Sequence, residues 1–143
     1  MTTTIWLRIS SIITLLFAAG HTLGGLKYWS PMGDNAVLQA MRTVHFDTMG
    51  VNRSYLDFYM GFGYALLVSQ VMLAVLLWQL ATLARTNTQM VRPMIAVITL
   101  AVAASGVITW RFTLPVPALF SLVQLASLAV AYVFARRRSA SAA

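Results

Sequence analysis

Residues 54–84 read SYLDFYMGFGYALLVSQVMLAVLLWQLATLA, and this run decides the fold. Its one charged side chain, Asp57, stands at the very start, and nothing after it is ionised. About 20 apolar residues suffice for a helix to cross the hydrocarbon of a bilayer. The run is longer than that, so the helix it predicts should tilt or project beyond the membrane. Working outward, similar apolar windows occupy about Ile5–Leu26, Pro93–Arg111 and Pro117–Ala135. Pro93 and Pro117 suit a first helical turn, where a missing N–H costs nothing, and the last window stops at Arg136-Arg137-Arg138. Within 143 residues, 59% are hydrophobic and 9% charged, whereas a soluble domain carries about 25% charged residues. So little charge cannot face water all round. The expected fold is an all-α membrane protein: a single domain over 1–143 built as a four-transmembrane-helix bundle. Arg8 followed by ISSIITLLFAAG also has the look of a signal peptide, and is read as a retained first span.

The formal net charge is +7. In a soluble chain that would suggest nucleic acid. Here the basic residues flank apolar runs, which is how topology determinants and lipid-headgroup contacts are placed, so the expected partners are membrane lipids and not nucleic acid. With four spans, Arg8, Arg85, Arg92 and Arg136–Arg138 share one side, while Lys27, Arg42, Arg53 and Arg111 share the other with all three aspartates. Positive charge stays inside. The expectation is a multi-pass protein of the inner (plasma) membrane with both termini cytoplasmic. Tyr28, Trp29, Tyr55, Tyr59 and Trp110 would mark the outer interface, and Trp6 and Trp78 the inner one. The chain has no cysteine, which excludes disulfides and thiol redox chemistry of its own.

The uncommon polar residues gather between His21 and Gly63, with residues 27–53 as an external segment. Ser30-Pro31 breaks the chain there. Asp34 or Asn35 can cap a helix, and Val37, Ala40, Met41 and Val44 recur at helical spacing. A short amphipathic helix from about Ala36 to Phe46 is therefore predicted between spans one and two. Candidate ligand-binding residues are His21, His45, Asp47, Arg53, Asp57, Tyr59 and Arg111. An even number of helices would bring them to one membrane face, where unpaired polar groups are costly. Each also has a plainer role: Ser54-x-x-Asp57 fits a capping box, Asp47 before Gly50 suits a turn, His21 can pack among helices on the Thr14/Ala18 face, His45 can simply be exposed, and Arg111 can reach for headgroups. Small residues at four-residue spacing (Gly61, Ala65, Ser69; Thr14, Ala18, Thr22) and Ser121, Gln124 and Ser127 are expected at helix contacts. Gln70 and Gln124 should face the bundle. The final Ser-Ala-Ser-Ala-Ala is expected to fray.

Two histidines without a metal-ligand spacing imply no metal. No nucleophile elbow, phosphate loop or dinucleotide fingerprint appears, so no cofactor is expected and no catalytic residue is assigned.

His21-x-x-Gly24-Gly25, Phe46-Asp47-x-Met49-Gly50, Arg53-Ser54-x-x-Asp57-Phe58-Tyr59-x-Gly61-Phe62-Gly63 and Trp110-Arg111 followed by Pro115 together resemble a family of small four-span bacterial membrane proteins to which no activity is attached. More loosely, Gly24, Lys27 and Pro31 at the end of the first span are similar to the DoxX-like membrane proteins. At the level of fold there is an analogy with emopamil-binding and sigma-2-type bundles, which implies a pocket for sterol-like ligands with acidic residues in it.

Three functions are compatible with these residues. One is binding or carrying a small lipophilic or lipid-like ligand, with polar groups at one end and Tyr59, Met60, Phe62 and Phe120 along its apolar part. Another is an accessory membrane subunit, docked to a membrane partner or to further copies of itself. The third is an isomerase-like membrane enzyme in which a histidine moves a proton beside Asp47 or Asp57.

Overall fold

The computed structural model describes residues 2–27, 30 and 32–140. Tyr28, Trp29, Pro31 and the last three residues, on which some of the sequence expectations fall, lie outside the described residues. In chain order the elements are α1 (Thr2–Gly20), a π-helical continuation (His21–Lys27), α2 (Ala36–Thr43), β1 (His45–Thr48), β2 (Val51–Ser54), α3 (Tyr55–Leu83), α4 (Thr88–Phe112) and α5 (Pro115–Ala140). Four helices are long and apolar enough to cross a membrane. The all-α four-span expectation holds, and the fold is that of an integral membrane protein.

Several boundaries differ from the expectation. Asn87, not Pro93, starts the third span: its side chain accepts the Met90 N–H at 3.0 Å. Pro93 therefore sits inside the helix, where it has no N–H to give the Gln89 carbonyl. The fourth span opens at Pro115 and passes through the arginines to Ala140, so Ser139 and Ala140 belong to the helix and not to a frayed tail.

The contacts divide the chain into two compact units, residues 1–17 with 71–143, and residues 18–70. The first is a helical bundle. Arg8 lies over the Trp78 ring at 4.8 Å and the Ser11 hydroxyl donates to the Ala74 carbonyl at 2.7 Å, so α1 and α3 run antiparallel. Ser10 with Ser127 and Thr14 with Gln124 set α1 antiparallel to α5. Arg92 with Tyr132 and Gly106 with Ser121 do the same for α4 and α5. The core between them holds Leu7, Leu77, Val91, Ile95 and Leu128 with Ala81, Ala131 and Ala135.

In lipid such a core gains no hydrophobic drive from association, because acyl chains are as apolar as leucine. Close packing and interhelical hydrogen bonds must hold it. Gln124 is buried and its amide donates to the Thr14 hydroxyl at 2.7 Å, as expected for an intramembrane glutamine. Gly106 brings α4 close to α5: a Cβ there would stand 3.3 Å from the Ser121 Cβ. By contrast, Gly61, Ala65 and Ser69, expected to pack, are all exposed, and Ser69 turns its hydroxyl back to the Ala65 carbonyl.

The second unit takes in the last turn of α1 from Ala18 and then changes to π-helical geometry at His21. α2 is shorter than expected. Asn35 caps it by accepting the Leu38 N–H at 3.0 Å, while Asp34 instead pairs with Arg42 at 3.3 Å. The Val44 N–H closes the helix on the Ala40 carbonyl, and extended backbone follows. Leu38, not Val37, is the buried side chain; Val37 and Ala40 are exposed. Residues 44–46 are thus not helical. They lead into a β-hairpin whose register pairs His45 with Ser54 and Thr48 with Val51. Its two-residue turn, Met49-Gly50, has positive φ at both positions (50° and 76°). That backbone matches the twist of the flanking strands, at the cost of placing a methionine where glycine or asparagine is usual.

Candidate functional site

Strand alternation gives the hairpin two faces. His45, Asp47, Asn52 and Ser54 share one, and Phe46, Thr48, Val51 and Arg53 share the other. On the first face Asn52 is the hub. Its side-chain oxygen lies 2.7 Å from His45 Nδ1 and its amide nitrogen donates to Asp47 Oδ1 at 2.7 Å. An amide oxygen only accepts, so Nδ1 carries the hydrogen of this bond. His45 and Asp47 are therefore bridged by an amide that moves no proton between them. Asp47 is a strand residue locked across the hairpin, not the turn former its context suggested.

On the second face Phe46 meets Tyr55 at 5.2 Å and stands edge-on to Phe58 at 5.8 Å; Phe58 in turn stands edge-on to Phe62 at 4.9 Å. These tilted and edge-to-face geometries suit the ring quadrupoles. The four rings make a continuous ladder from the hairpin down the first two turns of α3, and Phe58 and Phe62 remain 56% and 66% exposed. Arg53, on the same strand face as Phe46, donates to the Asn52 carbonyl at 2.8 Å.

Asp57 is engaged at the helix start. The Ser54 N–H donates to Asp57 Oδ2 at 3.0 Å and the Asp57 N–H to Ser54 Oγ at 3.1 Å. This reciprocal pair satisfies two donors that the first turn of α3 would otherwise leave open, so the capping role is present. His21 is half-buried and its Nε2 lies 3.0 Å from the Gly63 carbonyl oxygen. A carbonyl can only accept, so Nε2 bears the hydrogen there. His21 thus fastens the π-helical segment to α3. Tyr59 is exposed on α3. Arg111 belongs to the other unit and lies over the ring of its neighbour Phe112 at 5.4 Å. Of the expected candidates, then, His45 and Asp47 are joined in one network and Arg53 stands on the opposite face of the same hairpin. His21 ties the π-helical segment to α3 within its first three turns, and Asp57 caps the start of that helix. Among the described residues no three histidine or carboxylate side chains are grouped as a metal site.

Sequence reasoning missed Asn52 as the hub and Phe46 and Tyr55 as ladder rings. The available signal was a two-residue turn ending in glycine, flanked by alternating residues. No protein-family model, curated protein or solved structure matches the chain.

Proposed function

We propose that this membrane protein binds a small lipophilic or lipid-like molecule, held by the 18–70 unit at the outer face of a bacterial inner membrane. The observation that carries the proposal is the ladder Phe46–Phe58–Phe62, with Phe46 half-buried and Phe58 and Phe62 exposed, which joins the hairpin to a membrane helix. A flat apolar body can lie along rings placed this way, and a polar end finds Arg53 beside them; binding sites generally pair much apolar surface with few polar groups. The arginines gathered at one end of the helical bundle support an orientation with both termini cytoplasmic. Native mass spectrometry of the mildly solubilised full chain should find a retained small molecule whose occupancy falls in F58A and F62A. A protein that stays empty at every detergent level refutes the proposal.

A second reading, an accessory subunit, is favoured by the bare Gly61/Ala65/Ser69 face. A Cβ added at Gly61 meets nothing within 4 Å, and such faces admit a neighbouring helix backbone closely. A stoichiometric membrane partner lost on Gly61→Leu, with the ladder variants unaffected, would select it.

A further inference from the structure

All of the net charge resides in residues 1–17 and 71–143. That unit has Arg8, Arg85, Arg92, Arg136, Arg137 and Arg138 together with Arg111, and no Asp or Glu side chain, whereas Lys27, Arg42 and Arg53 balance Asp34, Asp47 and Asp57 in the remainder. The antiparallel order of its helices gathers all but Arg111 toward one end. No acidic side chain of the unit stands opposite Arg92.

One of these arginines lines a shaped site. Gln89, Arg92, Pro93, Ala96 and Tyr132 border an open groove of about 500 Å³ between α4 and α5. Arg92 is half-buried, with its guanidinium carbon 5.8 Å from the Tyr132 ring centroid; Tyr132 is itself packed against the core. A cation–π contact at this distance leaves the guanidinium N–H groups available to a bidentate partner. Arg92 lies four residues into α4, only about 6 Å along the axis from its start, and the exposed Val97 and Leu100 continue the helix beyond it.

We propose that this groove binds the phosphate headgroup of an anionic phospholipid. Arg92 takes the phosphate oxygens through two parallel N–H bonds. The Gln89 amide adds a donor, and the Gln89 carbonyl, which Pro93 leaves without a helical donor, accepts a glycerol hydroxyl. An acyl chain then follows Pro93, Ala96, Val97 and Leu100 into the hydrocarbon. Basic pockets between spans, at headgroup depth, recognise anionic lipids by this combination.

The test is native mass spectrometry of the full chain in detergent, titrated in parallel with phosphatidylglycerol, phosphatidylcholine and soluble glycerol phosphate. Wild type should retain one phosphatidylglycerol under conditions that strip phosphatidylcholine. R92Q should lower that occupancy about tenfold, the effect of losing a charge-assisted hydrogen bond. A96L, which narrows the groove without altering charge, should lower it as well and reports even where R92Q does not fold. R136Q/R137Q, which removes more charge outside the groove, should leave it in place. Retention by A96L, or equal loss in R136Q/R137Q, overturns the groove as the site. Displacement of the lipid by glycerol phosphate at equal concentration overturns the lipid as the ligand.

Discussion

The buried polar ring that joins α1 to α5 makes a directional prediction. Ser127 has one hydroxyl hydrogen and gives it to the Gln124 carbonyl at 3.0 Å. Ser10 must therefore be the donor in its bond to Ser127. Thr14 gives its hydrogen to the Ser10 carbonyl at 2.8 Å, so its oxygen is the acceptor for the Gln124 amide. Removing the two ends of the Gln124–Thr14 bond is then unequal. In Gln124→Leu, Thr14 keeps its own donation and no buried donor is orphaned. Only one interhelical bond is lost, worth on average about 0.6 and at most about 1.7 kcal/mol in membrane bundles. In Thr14→Val the Gln124 amide, on a side chain only 7% exposed, loses its acceptor, and an orphaned buried donor costs about 1–3 kcal/mol. Reversible unfolding by SDS in mixed micelles should rank Thr14→Val as the more destabilised. The double variant should show a coupling of about 0.6–1.7 kcal/mol. A larger loss from Gln124→Leu than from Thr14→Val, or no coupling between them, would refute the assigned donor directions.

Further outcomes are equally concrete. Ser54→Ala and Asp57→Ala should each cost about 1 kcal/mol and should be non-additive, because they break one reciprocal cap; hydrogen exchange in the first turn of α3 reads this. Gly50→Ala, forced to φ near 76°, should loosen the hairpin by about 1 kcal/mol, whereas Met49→Asn should tighten it; amide exchange at Asp47 and Asn52 distinguishes the two. Gly106→Val should destabilise the helical unit by about 1–3 kcal/mol through overpacking on Ser121, with Gly106→Ala much milder, as seen in thermal unfolding in detergent. The absence of native cysteine makes topology simple to read. A membrane-impermeant maleimide on intact cells should label Thr48→Cys and spare Thr86→Cys, and the reverse pattern would invert the proposed orientation.

The four spans were legible because a 20-residue apolar window has few alternative explanations in a chain so poor in charge. The cap at Ser54/Asp57 was legible for the same local reason: its partners are three residues apart. The hairpin was not. Val44 continues the apolar spacing of α2 although its backbone is already extended, and the turn signal at Gly50 is weakened by Met49, a residue that seldom adopts positive φ. The start of α4 was obscured by Pro93, whose preference for a first turn outweighed the weaker signal of Asn87. Among contacts, Gln124 could be placed because an intramembrane amide needs a partner. Gly106 could not be told from Gly61 by spacing alone, since the two differ only in whether another helix arrives. Likewise, nothing local in Gln89, Arg92 and Tyr132 joins them; the antiparallel pairing of α4 and α5 does.

The uneven placement of charge also sets how the protein responds to an energised membrane. A potential of 100 mV is worth about 2.3 kcal/mol for each elementary charge moved across it. Six arginines at one end of the helical unit against Arg111 at the other leave five net charges, so its two possible orientations differ by on the order of 12 kcal/mol at that voltage, while the electrically neutral 18–70 unit adds no net charge of its own. The potential therefore favours copies that share one orientation, and two such copies side by side would carry their basic ends in the same leaflet.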